Sequence, residues 1–363
     1  MNGRPFAFAD PSTAARFAAA IRRLAPADRR LRLVHVCGTH EAAITEHGLR
    51  RLLPENVEVL EGPGCPVCVT PTHDIDAAVQ MAESGAVVCA FGDMMRVPGT
   101  RRTLAEARAG GADVRTVLSA AESATIARQT RRDVVFFAVG FETTAPMTAA
   151  VLLDKPPENL SVLVSHKLIP EAMACLLELP GASIDGFVAP GHVSTIIGAT
   201  AYEGIASRFA VPVVVAGFEP LDVLYATALL LRQFHRGTAE VENAFPRAVS
   251  WAGNHTALEL IRRVFIPCDT HWRGIGVIPN SGLTLRDAWA AYDARTRFDI
   301  AGRTGDDVVP GCRCADMLTA RAVPTDCPLF GTACTPQTPV GPCMVGAEGA
   351  CSIWHRYGGR PTL

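Results

Sequence analysis

Short apolar runs that alternate with segments of helical periodicity constrain this chain more than any other feature. LRLVHV (31–36), VEVLEGPG (57–64), AVVCAFG (86–92) and DVRTVL (113–118) read as buried strands, and VVFFAVG (134–140), LSVLVSH (160–166), IDGFVAP (184–190) and VPVVVAG (211–217) repeat the pattern. Between them, segments such as EAAITEHGLRRLL carry apolar residues at helical spacing. Strands alternating with helices imply βαβ units and parallel sheets. Taken in chain order, the two sets predict two similar α/β domains, residues 31–130 and 131–240, with the boundary within 119–133. After the helical LDVLYATALLLRQFHRG (221–237) the pattern becomes mixed, and beyond residue 311 it turns into loops rich in Gly, Pro and Cys. This tail has too little periodic apolar sequence for a core of its own. It is expected to join the N-terminal helix in a third, discontinuous unit, 1–30 with 241–363, organised by bound metal.

The 363 residues are enough for two or three domains, and 48% hydrophobic against 19% charged residues excludes a disordered chain. A formal net charge of −2 gives no electrostatic case for nucleic acid or an anionic membrane as partner. No apolar stretch reaches the roughly 18 residues of a membrane span. The first residues lack a secretory signal's apolar core and read as a loop followed by an amphipathic helix, with Asp10 as N-cap and Pro11 in its first turn. A cytoplasmic location is expected. In a reducing compartment, 12 cysteines argue for metal or redox chemistry rather than a disulfide framework.

In an open α/β sheet, ligands bind beyond the carboxyl ends of the strands. There the first strand delivers Cys37-Gly38-Thr39-His40-Glu41 and the second Gly62-Pro63-Gly64-Cys65-Pro66-Val67-Cys68. Later strand ends supply Glu142-Thr143-Thr144, His166-Lys167, Gly191-His192 and Glu219. Cys37, between a strand and a helix start, is placed for a dipole-lowered pKa, and His40 to ligate, donate a hydrogen bond or relay a proton. A buried cysteine beside a capping Thr39 is the plain alternative. Cys65-x-x-Cys68 suits a redox dithiol or half of a metal site; a zinc ribbon needs a second such pair, which is absent. Cys89 and Cys175 read as core residues, Cys268 is unassigned, and His35, His47, His73, His235, His255, His271 and His355 show no ligand-like pairing.

Six cysteines lie beyond residue 311. Cys327, Cys334, Cys343 and Cys351, interleaved with Pro and Gly, indicate an all-thiolate site for tetrahedral zinc or a [4Fe–4S] cluster. Cys312 and Cys314, just upstream, read as an alternative ligand pair or an oxidisable spare. Glu348, between the last two candidate ligands, is a carboxylate for orientation or docking, or a solvated loop residue.

CGTHE (37–41), GPGCPVC (62–68), GFETTAP (140–146), APGHVS (189–194) and CPLFGTACTPQTPVGPCMVGAEGAC (327–351), in this order, resemble the HypD family of hydrogenase maturation proteins. The resemblance runs from about residue 30 to the C-terminus. It implies two Rossmann-like α/β/α domains and a loop-rich iron–sulfur domain around a cleft. It implies a scaffold for the Fe(CN)2CO unit of [NiFe]-hydrogenase, working with a HypC-type chaperone and a HypE-type cyanide donor, and through them with the hydrogenase large subunit. Carried over, Cys37 is the ligand of that iron with His40 beside it, and Cys65 and Cys68 are a redox pair. His192 and Glu348 match functional positions, and Cys327, Cys334, Cys343 and Cys351 hold a [4Fe–4S] cluster. The rival reading is an iron–sulfur-dependent thiol/disulfide oxidoreductase, which has no need of Cys37-Gly38-Thr39-His40.

Overall fold

The strands pair into two parallel sheets and a hairpin, in a computed structural model that describes residues 10–300 and 309–358. All eight predicted runs form strands: β1 (Leu31–His35), β2 (Val57–Glu61), β3 (Val87–Ala90), β4 (Val114–Thr116), β5 (Val134–Gly140), β6 (Leu160–His166), β7 (Gly186–Pro190) and β8 (Val213–Ala216). The pattern had not revealed β9 (Val241–Asn243) or the hairpin β10 (Phe265–Trp272) and β11 (Gly276–Leu285). The first sheet has the order β2-β1-β7-β8-β9 and the second β4-β3-β5-β6, all parallel.

This grouping corrects the expected division at 31–130 and 131–240. The second sheet is one continuous stretch, β3 to β6, set between β2 and β7 of the first. Runs buried on both faces carry no sign of which neighbour they pair with. The supposed boundary at 119–133 is largely the helix Ala120–Arg128, an ordinary crossover within the second sheet. The expected third unit is corrected as well. The helix Pro11–Leu24, capped by Asp10 as predicted, lies on the helix Pro220–Arg236, and its Ile21 shares a core with Leu31 and Leu33 of the first sheet. The first residues, read as a loop, lie outside the described residues.

Alternation along the strands builds three cores. Leu31 and Leu33 of β1 face the helices Pro11–Leu24 and Pro220–Arg236. Val134, Phe136 and Ala138 of β5 face the helices Ala120–Arg128 and Ala145–Leu153 and the hairpin. Their neighbours Val34, Val36, Val135, Phe137 and Val139 join one central core, which also takes up Cys314, Cys327, Cys334, Cys343, Met344 and Cys351 of the tail. The tail is thus packed into the main core, built mainly from the short helices Cys314–Leu318 and Ala350–Tyr357 joined by turns. Among the described residues, no helix is long and apolar enough to cross a membrane.

Candidate functional site

The order of each sheet fixes one point where successive connections run in opposite directions: between β1 and β7 in the first, and between β3 and β5 in the second. Such switch points open crevices beyond the strand ends, and each sheet has one. The first, a cleft of about 320 Å³, is lined by Val36, Cys37, Gly64, His192 and Thr195, among others. The second, about 510 Å³, is lined by Cys65, Phe91, Asp93, Thr116, Leu118 and Met147, among others. Pro66, Phe141, Thr143 and Glu348 line both and form the wall between them.

Cys37 is the N-cap of the helix Gly38–Glu46 and is buried, 6% exposed. The backbone N–H groups of Thr39 and His40 and the Thr39 hydroxyl favour its anion, as its place at a helix start predicts. They are outweighed. Burial, with the Glu348 carboxyl nearby, pushes the thiol up to about 12, so the expected dipole-activated thiolate is corrected to a protonated thiol. Desolvation of an anion costs more than two or three partial charges return.

Close backbone approaches fix this thiol. A β-carbon at Gly64 would fall on the backbone of Val36 and Cys37, and one at Gly38 would fall on Glu348. The first two glycine-containing motifs and the tail therefore meet where only glycine fits. The Thr39 hydroxyl donates to Glu348 Oε1 at 3.0 Å, tying the tail to the Cys37 helix. Burial raises the Glu348 pKa. Beneath lies a buried hub that sequence reading missed, although Glu41 closes the CGTHE motif. Glu41, fully buried, accepts from Arg50 (2.8 and 2.6 Å), the Thr45 hydroxyl (2.6 Å) and Trp354 Nε1 (2.6 Å), and meets His35 Nε2 at 2.7 Å. His35 Nδ1 reaches the Cys37 carbonyl at 3.1 Å. Arg50 and His35 hold Glu41 well below the usual carboxylate range against the opposing effect of burial.

His40 does not line the cleft. Its ring is fully buried, 5.1 Å from that of Phe218, and Nε2 meets the Gly217 carbonyl at 3.0 Å. Burial and His35 lower its pKa to about 3, so it is neutral. His192 does line the cleft, stacked on Phe218 at 3.8 Å, its pKa lowered by burial. Glu142, from GFETTAP, is buried and accepts from the Ile169 N–H (2.9 Å), and burial pushes it up to about 8.

Cys65 and Cys68 are joined by a disulfide and are 0% and 1% exposed. Cys65 caps the helical turn Pro66–Val69 by accepting from the Cys68 N–H (3.2 Å). That turn packs on Pro342–Met344, which carries Cys343. The tail gathers six cysteines rather than four. Cys343 and Cys351 sulfurs lie 3.4 Å apart, and Cys351 is 3.5 Å from the sulfur of Met317. Cys314 is hydrogen-bonded to Cys343, and Cys312 senses Cys314, Cys327 and Cys334. Hydrogen bonding to Cys343 raises the pKa of Cys314, and burial with repulsion from neighbouring thiols raises those of Cys312, Cys343 and Cys351. Among the described residues, no three His, Cys, Asp or Glu side chains converge as ligands of a single metal ion.

The family profile described as "HypD: Hydrogenase formation hypA family" matches residues 12–358. The chain belongs to the HypD family. It is 46% identical over 364 residues to "Hydrogenase maturation factor HypD1" of Bradyrhizobium diazoefficiens, covering 96% of this chain and 95% of that protein. It is 45% identical to "Hydrogenase maturation factor HypD" of Azotobacter vinelandii, covering 97% and 96%. The protein so named in Escherichia coli is 46% identical over 91% of this chain and 90% of its own. The match to this family thus spans nearly all of the described residues. The geometry shows why three of the motifs occur together: CGTHE, GPGCPVC and the tail's AEGAC meet at Cys37, Gly64 and Glu348.

Proposed function

We propose that this chain is the scaffold on which the Fe(CN)2CO unit of [NiFe]-hydrogenase is assembled. The iron, as cargo, is held by Cys37 and shared with a HypC-type chaperone; a HypE-type protein donates cyanide; the product passes to the hydrogenase large subunit. One observation carries the reading. Cys37 is the cysteine of the first sheet's cleft, recessed among mainly apolar walls, with Glu348, His192, Thr143 and Thr195 as the polar side chains of the lining. Low-spin iron with diatomic ligands needs a soft anionic donor and shelter from water. The protonated Cys37 thiol is a resting form that loses its proton when iron binds, since metal ligation requires thiolate. His40, neutral and turned to Gly217, positions the motif rather than ligating.

The tail gathers thiols, the soft donors that hold zinc or an iron–sulfur cluster. Following the family resemblance, we assign Cys327, Cys334, Cys343 and Cys351 to a [4Fe–4S] cluster, with Cys312 and Cys314 beside them. When bound, a [4Fe–4S] cluster supplies one-electron chemistry beside the turn that carries the Cys65–Cys68 disulfide. That disulfide also favours a second reading, an iron–sulfur-dependent thiol/disulfide oxidoreductase. Anaerobic purification with a HypC-type partner separates the two. Iron shared with the partner and lost in Cys37→Ala, with tail absorbance intact, supports the scaffold. Partner-bound iron unchanged in Cys37→Ala refutes it.

A further inference from the structure

The hairpin β10–β11 turns at Arg273 and Gly274, and its tip is pressed into the tail. A β-carbon at Gly274 would fall 2.9 Å from the Cα of Ala315, and its φ of +75° also favours glycine. The Arg273 N–H donates to the Val69 carbonyl (3.0 Å), at the end of the disulfide turn, and Nη1 donates to the Pro98 carbonyl (3.0 Å). Arg273 is 3% exposed, a rare state for an arginine. With Cys312, Cys314, Ala315 and Gly341, among others, it lines a void of about 10 Å³, room for one water. Gly341 lets the sulfurs close up, since a β-carbon there would fall 2.7 Å from Cys312 Sγ. A hydrogen bond to Cys343 raises the Cys314 pKa, and the Arg273 charge works against that rise. The arginine thus stands behind Cys314, which in turn meets Cys343, one of the four thiols assigned to the cluster.

We infer that Arg273 is a positioning residue of the tail: it holds a fixed positive charge beside the cysteines and so raises the reduction potential of their cluster. The inference rests on the [4Fe–4S] assignment proposed above. A guanidinium stays protonated in any protein environment, so its charge is constant. Burying it is costly unless negative charge lies close by. Whatever else the guanidinium touches, replacing it with a neutral group removes one positive charge from the tail's surroundings. A cluster on four thiolates carries one more negative charge when reduced than when oxidised. A nearby buried cation therefore favours the reduced form, and the low dielectric of the interior preserves the effect. Arg313 offers the contrast. It flanks the same two cysteines in sequence, but its side chain is 41% exposed and pairs with Asp316 at 2.8 Å, so water screens its charge.

Full-length protein purified anaerobically is titrated with dithionite, and the reduced cluster is read by electron paramagnetic resonance. Arg273→Gln is expected to lower the midpoint potential by about 59 mV or more, which is tenfold in the equilibrium constant of a one-electron couple. Arg313→Gln should move it much less. If Arg273→Gln loses the cluster, Arg273→Lys carries the test. A lysine keeps the charge at low pH but, unlike a guanidinium, sheds it when buried as the pH rises. The midpoint of Arg273→Lys should match the parent's at pH 6 and fall below it by pH 9. Cys312 and Cys314 face position 273 in both proteins and so cancel from the difference. A difference that stays constant with pH would mark packing alone and overturn the inference, as would an Arg273→Gln shift no larger than that of Arg313→Gln. Zinc in place of iron in the tail overturns the cluster assignment and this inference together. An intact cluster with an unmoved midpoint overturns this inference alone.

Discussion

The two sulfur centres of this chain are built by opposite means. Cys37 stands at the end of a central strand, its backbone pressed by Gly64, its carbonyl met by His35, and its helix anchored by Glu41. The tail cysteines stand on short helices and turns, with much less regular hydrogen bonding around them. The sheet places one thiol through strand, turn and helix contacts, whereas on the function proposed above the tail depends on what its thiols bind. The sites are also joined: Glu348 and Trp354 of the tail bond to Thr39 and Glu41 of the Cys37 helix.

The largest effect expected from this contrast is on metal removal. Stripping iron with a chelator under reducing conditions should open residues 309–358 to proteolysis and amide exchange while strands β1 to β8 keep their protection, because a metal-organised segment folds with its metal. Equal protection of the tail with and without iron would break the comparison. Glu41→Ala comes next. It leaves Arg50 and Trp354 without their buried partner and should cost about 3–5 kcal/mol, as for other broken buried ion pairs, read by urea unfolding. It should also loosen the helix Ala350–Tyr357, so the tail loses order although no cysteine has changed.

Gly64→Ala should cost about 1–3 kcal/mol, the usual range for overpacking, and raise Cys37 alkylation by displacing the loop that covers it. A stable variant with unchanged alkylation would show that the contact is not what holds the thiol. Smaller still are the pH effects. With its folded pKa near 12 against an ordinary 9.0, Cys37 contributes stability that is full below pH 9 and lost as pH rises towards 12. Alkylation of Cys37 should therefore keep rising across pH 8–10 without a plateau. Glu142, raised from 4.5 to about 8, likewise favours folding in its protonated form, and that contribution fades between those values. Glu142→Gln keeps the oxygen that accepts from Ile169, so its stability relative to the parent should improve as pH passes from 5 to 8.

The strands were readable from the sequence because each is a run of apolar residues between turn signals. Their partners were not, since β1 and β3 look alike and only the crossovers show that one sheet interrupts the other. Cys37, Cys65, Cys68, His192 and Glu348 stood out because they follow strand ends or sit in cysteine-rich motifs; the fold brings Cys37, His192, Glu348 and Cys65 to the two neighbouring crevices, with Cys68 bonded to Cys65. His40 could not be assigned from its place in the motif, because which way a helix turns a ring depends on its neighbours, here Phe218 and Gly217. The thiol state of Cys37 was misread for a related reason: a helix start is visible in sequence and the depth of burial is not. Glu41 was written in the CGTHE motif, but Arg50 and Trp354, which give it meaning, lie 9 and 313 residues away.

The central claim is that Cys37 holds an iron carrying diatomic ligands. The most direct measurement is an infrared spectrum of the chain purified anaerobically after co-expression with its maturation partners. The account predicts bands of iron-bound CO and cyanide in the parent protein and their loss in Cys37→Ala, with the tail's absorbance unchanged. The same bands persisting in Cys37→Ala would contradict it.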